Sequence, residues 1–502
     1  MMTPMCDDRI SKKTRFLSRR DFWFNAGMGI GGLALIDLMS RDGLLAAEPP
    51  GGTNAACLGS EGVKDSPYLP KPPHFKPRAK SMIHLFMSGG VSQVDTFDYK
   101  PDLEKYHGVA LEGKGEVRVR QGYPGPLMKS PYKFKQYGKS GTYVSEIFPH
   151  LSTIVDDLAF IHSVTGKSND HVLSHYEWNT GMILMGFPSV GAWVSYGLGT
   201  ENQNLPGYVV IYDHRGGPFS GPTNWHAGFL PAAYQGTVFR SVGDPILDLK
   251  APAQYMSNEE ERRQLDLLAR MNQNHAEKNP GVSDFSARIS SYELAYRMQG
   301  CAPEAVDISS ESDETKKLYG MDDKITEPFG RQCLLARRLI ERGVRFVQLY
   351  NGAIVNQNVD TWDAHGSIVD NHGMHALEVD KPITGLITDL KRRGLLDETV
   401  VMWQSEFGRM PISQRALGRD HNPGCQTMWM AGAGIPGGQH IGASDEVGYK
   451  AAEQILWNHD VHATLLHLLG LDHKKLTYYF NGRNMRLTDV SGELIPQIVG
   501  KA

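Results

Sequence analysis

Twice in the second half of the chain a helical pattern stops at a glycine and a short apolar run follows. Residues 328–342 end before Gly343 and lead into 344–350; residues 375–393 end before Gly394 and lead into 399–405. A glycine just past a periodic run signals a helix C-terminus, because it enters the left-handed conformation without a Cβ clash. Apolar runs this short, bounded by turn residues, are what strands covered on both faces look like. Helix, glycine, strand, repeated, predicts an α/β chain with a central, mostly parallel sheet and helices on both faces. Runs at 81–87, 158–164, 207–212 and 427–431 supply further strands, and 258–279 and 460–469 further helices. Residues 100–150 and 214–330 depart from the rhythm and read as insertions, so that 81–502 forms one domain.

The first 80 residues read differently. Arg19-Arg20 precede Phe22, a weakly apolar Gly-rich stretch follows at 26–36, and Leu45-Ala46-Ala47 offers a cleavage site. That order is the layout of a twin-arginine export signal over 1–47, implying a periplasmic or otherwise exported protein and the twin-arginine translocase as a partner. Residues 48–80, rich in Pro, Gly and Lys, read as a linker or extended arm. Asn25 and Asp37 interrupt the apolar stretch, which argues against a permanent membrane span. Cys6 leaves with the signal; the other four cysteines show no Cys-x-x-Cys spacing. With 52 basic against 56 acidic residues the net charge is −4, which gives no reason to expect nucleic acid as a partner. No oligomeric state follows from the sequence.

Ligands of open α/β sheets gather beyond the carboxyl ends of the strands. Polar residues cluster at several of these ends. After the strand at 344–350 come Asp360, Asp363 and His365; a carboxylate and an imidazole on one loop can converge on a divalent metal. Either aspartate could serve, with Asp363 favoured because it sits beside His365. The strand at 399–405 runs into Glu406-Phe407-Gly408-Arg409, an acid placed as ligand or base and an arginine placed to clamp an oxyanion. Asp420-His421 precedes the strand at 427–431. Ser88-Gly89-Gly90 and Asp95 follow the first strand, where small residues would let a substrate approach the backbone. His171 opens the helix after the strand at 158–164. Each has a bland alternative: an Asx turn for Asp363, a structural ion pair for Glu406 and Arg409, a satisfied core imidazole for His171.

Taken in order, these pieces resemble the alkaline phosphatase and sulfatase superfamily. Residues Trp403–Gly408 are similar to its strand-end Thr-Ser-Asp-His-Gly, and His421 resembles its late metal-ligating histidine. Residues 460–471 resemble its C-terminal Asp-x-x-x-Thr-Leu-Leu-x-Leu-x-Gly helix, and Thr180-Gly181 the Thr-Gly after its nucleophile helix. A closer resemblance, over nearly the whole mature chain, is to the exported family called domain of unknown function 1501. It rests on His84–Asp98, Trp362–His365, Glu406–Arg409, Gly418–His421 and Phe480–Arg483. The resemblance implies an alkaline-phosphatase/sulfatase-like fold.

The chain also departs from the superfamily. The metal-binding aspartate after the first strand is replaced by Ser88-Gly89-Gly90, Phe407 stands in place of a histidine, and His171 occupies the nucleophile position. No sulfatase Cys-x-Pro-x-Arg signature occurs. What survives implies one divalent ion (zinc, manganese or calcium) on Asp363, His365 and His421. His171, Glu406 and Arg409 would be catalytic, and Ser88, Gly89, Asp95 and Asp420 would line the substrate site. The expected activity is hydrolysis of a sulfate or phosphate ester, small or polysaccharide-borne. The alternative is a non-catalytic binding module on an inherited fold. A redox role has only the export route behind it, since no haem, Fe–S or flavin motif occurs.

Overall fold

In a computed structural model the chain is described over residues 66–500, apart from 114–116, 118, 251–255, 280–282 and 356–357. The export signal, Cys57 and most of the arm lie outside these residues. No helix among the described residues is long and apolar enough to cross a membrane.

The centre is a nine-stranded sheet. Its strands are β1 (Ser81–Met87), β2 (Ala159–Thr165), β3 (Tyr208–Ile211), β4 (Thr237–Phe239), β5 (Phe346–Asn351), β6 (Thr399–Gln404), β7 (Gln426–Ala431), β8 (Gln439–Ile441) and β9 (Leu456–Trp457). The order is β8-β2-β7-β6-β1-β5-β3-β4, with β9 continuing along the free edge of β2. β1 is central, paired in parallel with β6 and β5. β4 arises within the stretch read as an insertion and adds one edge of the sheet.

One strand departs from expectation. β7 is antiparallel to both β6 and β2. The connection from β6 contains no helix. It folds back on itself instead, with Gly408 opposite Asn422 and Arg409 opposite His421. The chain therefore re-enters the sheet from the end it left, whereas a parallel return needs a crossover over a sheet face. This fold-back keeps Glu406, Arg409 and His421 at one end of the sheet.

Helices cover both faces. They are α1 (His171–Thr180), α2 (Val190–Leu198), α3 (Asn258–Lys278), α4 (Ser283–Val306), α5 (Glu327–Glu341), α6 (Ile368–Arg392) and α7 (Asn458–Leu468). Side chains alternate along a strand. Ile83, Leu85 and Met87 accordingly join a core with Leu335 and Leu339 of α5 and Ile383 and Leu386 of α6. Met82 and Phe86 join a second core with Trp178 of α1, Trp193 of α2 and Leu465 of α7. Gly343, Gly394 and Gly470 stop their helices with φ of 83°, 71° and 80°. α6 begins seven residues before the expected start, because Ser367 accepts a hydrogen bond from Asp370 N and caps it. The arm from residue 66 lies along the molecule, donating from Lys71 N to Leu198 O and from Arg78 N to Leu468 O. Cys333 and Cys425 are buried free thiols.

Candidate metal centre

β5, β1 and β6 lie side by side and β2 lies beyond β7, and the loops at this end of the sheet deliver one cluster. Asp363 is its hub. Its Oδ1 lies 3.0 Å from His365 Nε2 and 3.1 Å from His421 Nε2, and accepts a hydrogen bond from Arg409 Nη2 at 2.7 Å. Its Oδ2 lies 3.4 Å from His171 Nε2. Asp360 turns away to a separate ion-pair network around Arg215, so Asp363 is the aspartate that lies among the histidines.

The outer nitrogens of the imidazoles fix what the inner ones can do. His421 Nδ1 faces the carbonyl of Asn169 at 2.7 Å, and a carbonyl only accepts, so Nδ1 carries the proton. His365 Nδ1 faces Oε1 of Gln414, whose amide nitrogen donates to Gln121 O at 3.1 Å. In their neutral forms both rings therefore aim an Nε2 lone pair at a carboxylate oxygen. Burial first, then the charges of Arg409 and His171, push the His421 pKa down to about 4 against the pull of Asp363, so it is neutral near pH 7. Two lone pairs facing an anionic oxygen repel unless a cation lies among them. Ligands about 2.1 Å from a tetrahedral zinc stand roughly 3.4 Å apart, which these spacings approach. Asp420 Oδ1 and His171 Nε2 are buried with no hydrogen-bond partner. Two overlapping sets offer three ligand atoms within 4.8 Å of one another: His171, Asp363 and His421, and His365, Asp420 and His421. Either set could hold a divalent ion; His421 is common to both, and neither contains Asp363 and His365 together.

His171 differs from His421. Its Nδ1 donates to Glu406 Oε1 at 2.7 Å, and its ring stacks on Phe219. Burial lowers its pKa, but the neighbouring Asp363 and Glu406 carboxylates outweigh that and raise it above the ordinary value. Glu406 is buried, which would raise its pKa; His175 and His171 hold it well below the usual carboxylate range. Its oxygens also accept from Gly89 N at 2.8 and 3.0 Å and from Ser405 Oγ at 2.9 Å.

Several expected roles need correcting. Arg409 is fully buried and donates to Gly89 O, Gly90 O, Arg419 O and Asp363, so it steadies the cluster rather than a substrate oxyanion. Asp95 is not at the site surface: it forms a fully buried pair with Arg419, 2.6 Å from Nε and 3.1 Å from Nη2. Ser88 is buried with Oγ 3.1 Å from His175 Nε2. Gly89 has φ of 122°, and a Cβ there would overlap the backbone nitrogens of Trp362 and Asp363. Both support the cluster and do not face a substrate. Asp420 accepts from Arg120 N and Gln121 N and sits 3.8 Å from His365 Nδ1, among the candidate ligands. His175 was missed, although it stands one helical turn after His171, and His-x-x-x-His places both rings on one face of α1.

The chain belongs to the family described as "Protein of unknown function (DUF1501)", whose model matches residues 79–499. No curated protein matches it. Among solved structures it is similar to alkaline phosphatase from the Antarctic bacterium TAB5, at 10% identity and a TM-score of 0.33, over 79% of this chain and 99% of that one. It is similar to PsFucS1 sulfatase from Pseudoalteromonas sp. at 13% identity and 0.32, over 79% and 68%. The likeness to the lipoteichoic acid synthase LtaP from Listeria monocytogenes is 10% identity and 0.30, over 84% and 78%. At these scores the likenesses say nothing about activity.

Proposed function

We propose that the protein is an exported, metal-dependent hydrolase of a sulfate or phosphate ester. The observation that carries this reading is the pair of imidazole lone pairs, on His365 and His421, directed at the Asp363 carboxylate. Asp363, His365 and His421 hold one divalent ion (zinc, manganese or calcium). When bound, such an ion polarises the ester and lowers the pKa of water. Asn169 O and Gln414 Oε1 keep the two histidines in the ligating tautomer. Glu406 holds His171 at Nδ1, leaving Nε2 to give a proton to the departing oxygen or take one from water. The raised pKa of His171 suits it to carrying protons, and the lowered pKa of His421 suits it to binding metal. The substrate is a small-molecule or polysaccharide ester, and the translocase that exports the chain is its other partner.

The test is metal content of the mature protein beside Asp363→Ala and His421→Ala, followed by a screen of sulfate and phosphate esters. About one equivalent in the wild type, lost from both variants together with turnover, is expected. A metal-free wild type, folded with metal available, overturns the reading. One observation favours a non-catalytic binding module: Arg409 and Ser88 are both turned inward. Metal without turnover of any ester would select that alternative.

A further inference from the structure

Arg409 is consumed inside the cluster, which leaves open what would hold the negative charge of a substrate. Residues 119–121 cross one side of the site and carry a different arginine. Val119, with Val117, packs against an apolar cluster that includes Leu127, Met410 and Ile412. Arg120 N donates to Asp420 Oδ2, and Gln121 N donates to the same oxygen at 3.2 Å. Gln121 O accepts from Gln414, the residue that orients His365. At its other end the Arg120 side chain reaches Asp170, with Nη2 2.8 Å from Oδ2. Each anchor, Asp420 and Asp170, immediately precedes a site histidine, His421 and His171. Arg120 thus bridges two Asp-His dipeptides while its side chain stays 46% exposed.

That arrangement leaves the guanidinium fixed in place and lightly held. Asp170 is the N-cap of α1, and its Oδ1 accepts from Val172 N at 3.0 Å and Leu173 N at 3.3 Å. The cap survives without Arg120, because only Oδ2 meets the arginine. A half-exposed ion pair is weak, and its arginine exchanges readily for a stronger anion. A planar guanidinium presents paired donors that match two oxygens of a tetrahedral oxyanion.

We propose that Arg120 binds the anionic head of the substrate, a tetrahedral oxyanion such as a phosphate or sulfate group. The proposal takes its substrate class from the hydrolase reading. The test is calorimetric titration of inorganic phosphate and of sulfate into the wild type, Arg120→Ala, Arg120→Lys and Asp170→Asn, with metal content measured for each. Expected is at least about tenfold weaker binding in Arg120→Ala, an intermediate value in Arg120→Lys and unchanged metal content. Asp170→Asn keeps a capping side chain, frees the guanidinium and binds phosphate more tightly than the wild type. Equal binding by Arg120→Ala, no binding by the wild type, or loss of metal from Arg120→Ala overturns the proposal. The two readings fail separately. Arg120-dependent phosphate binding by a metal-free wild type retains this site and removes the hydrolase. Metal and turnover with phosphate binding indifferent to Arg120 do the reverse.

Discussion

Asp360 and Asp363 stand on one loop, yet they serve clusters of opposite electrostatic design. Around Arg215 the counter-charge is part of the chain. Its guanidinium meets Asp213 at 2.7 Å, Glu378 at 2.7 Å and Asp360 at 3.0 Å, and Asn351 Nδ2 donates to Glu378. Around Asp363 the side chains are mostly imidazoles, two of them unable to donate toward the carboxylate in their neutral form. The first cluster is organised by a side-chain cation, one guanidinium shared among three carboxylates. The second has one internal cation, Arg409, and still directs lone pairs inward. A carboxylate cluster at a strand end is therefore not a metal site by composition; under the proposed function, the tautomers imposed by its outer hydrogen bonds are what suit it to a metal.

The largest expected effect comes from removing the built-in cation. Arg215→Met leaves Asp213 and Glu378 charged and poorly solvated, and breaking a buried pair of this kind costs about 3–5 kcal/mol. Denaturant unfolding should show that loss with metal content unchanged. Recruitment of a further equivalent of metal in place of the guanidinium would erase the distinction between the clusters. The penalty has a pH signature. Burial would raise the Asp213 pKa, but hydrogen bonds from Arg215 and His214 hold it below the usual carboxylate range. Glu378 is likewise lowered, by His375 and Arg215 against burial. Carboxyls with depressed folded pKa values stabilise above their unfolded values, near 4, and lose that contribution as pH falls through the folded ones. The Arg215→Met penalty should therefore hold between about pH 7 and 5 and shrink below about pH 4.

A smaller effect sharpens the other side. Gln414→Ala removes the acceptor that fixes the His365 tautomer but no candidate ligand. Metal affinity should fall about 10–100-fold, measured by competition with a chelator, with folding stability nearly unchanged. Unchanged affinity would mean that His365 does not ligate and that His171 takes its place in the set with Asp363 and His421.

How much of this was legible in the sequence follows from how local each signal is. The strands at 81–87 and 399–404 and the stops at Gly343, Gly394 and Gly470 were readable, because apolar runs and C-cap glycines act within a few residues. Asp363, His365, His421, His171 and Glu406 were readable by position, since each follows or precedes a strand. Three things were not. The direction of β7 depends on the fold-back of 408–422, which has no periodicity of its own. The inward use of Arg409 depends on carbonyls of Gly89 and Gly90, some 320 residues away in sequence. The acceptors Asn169 O and Gln414 Oε1 are a backbone carbonyl and an amide, groups too common to signal anything locally. His175 is the exception, because its four-residue spacing from His171 is a local helical signal.

The smallest expected effect asks whether the clusters are mechanically separate. Asp360 is the only acid of the Arg215 network on the loop that carries Asp363, and its side chain is 49% exposed. An ion pair that open contributes about 0–1 kcal/mol. The loop has firmer anchors: Trp362 N donates to Ser88 O at 2.9 Å, Trp362 Nε1 to Asn351 Oδ1 at 2.8 Å, and Asn371 Nδ2 to Thr361 O at 2.7 Å. Trp362 is buried, so its indole fixes the backbone immediately before Asp363 whatever Asp360 does. Asp360→Asn should change stability by less than about 1 kcal/mol and leave metal affinity where it was. If affinity instead fell about tenfold, a difference of about 1.4 kcal/mol, the Arg215 network would be holding Asp363 in place through the shared loop. The two clusters would then be one structural unit, with an internal cation at one end setting the geometry for an external one at the other.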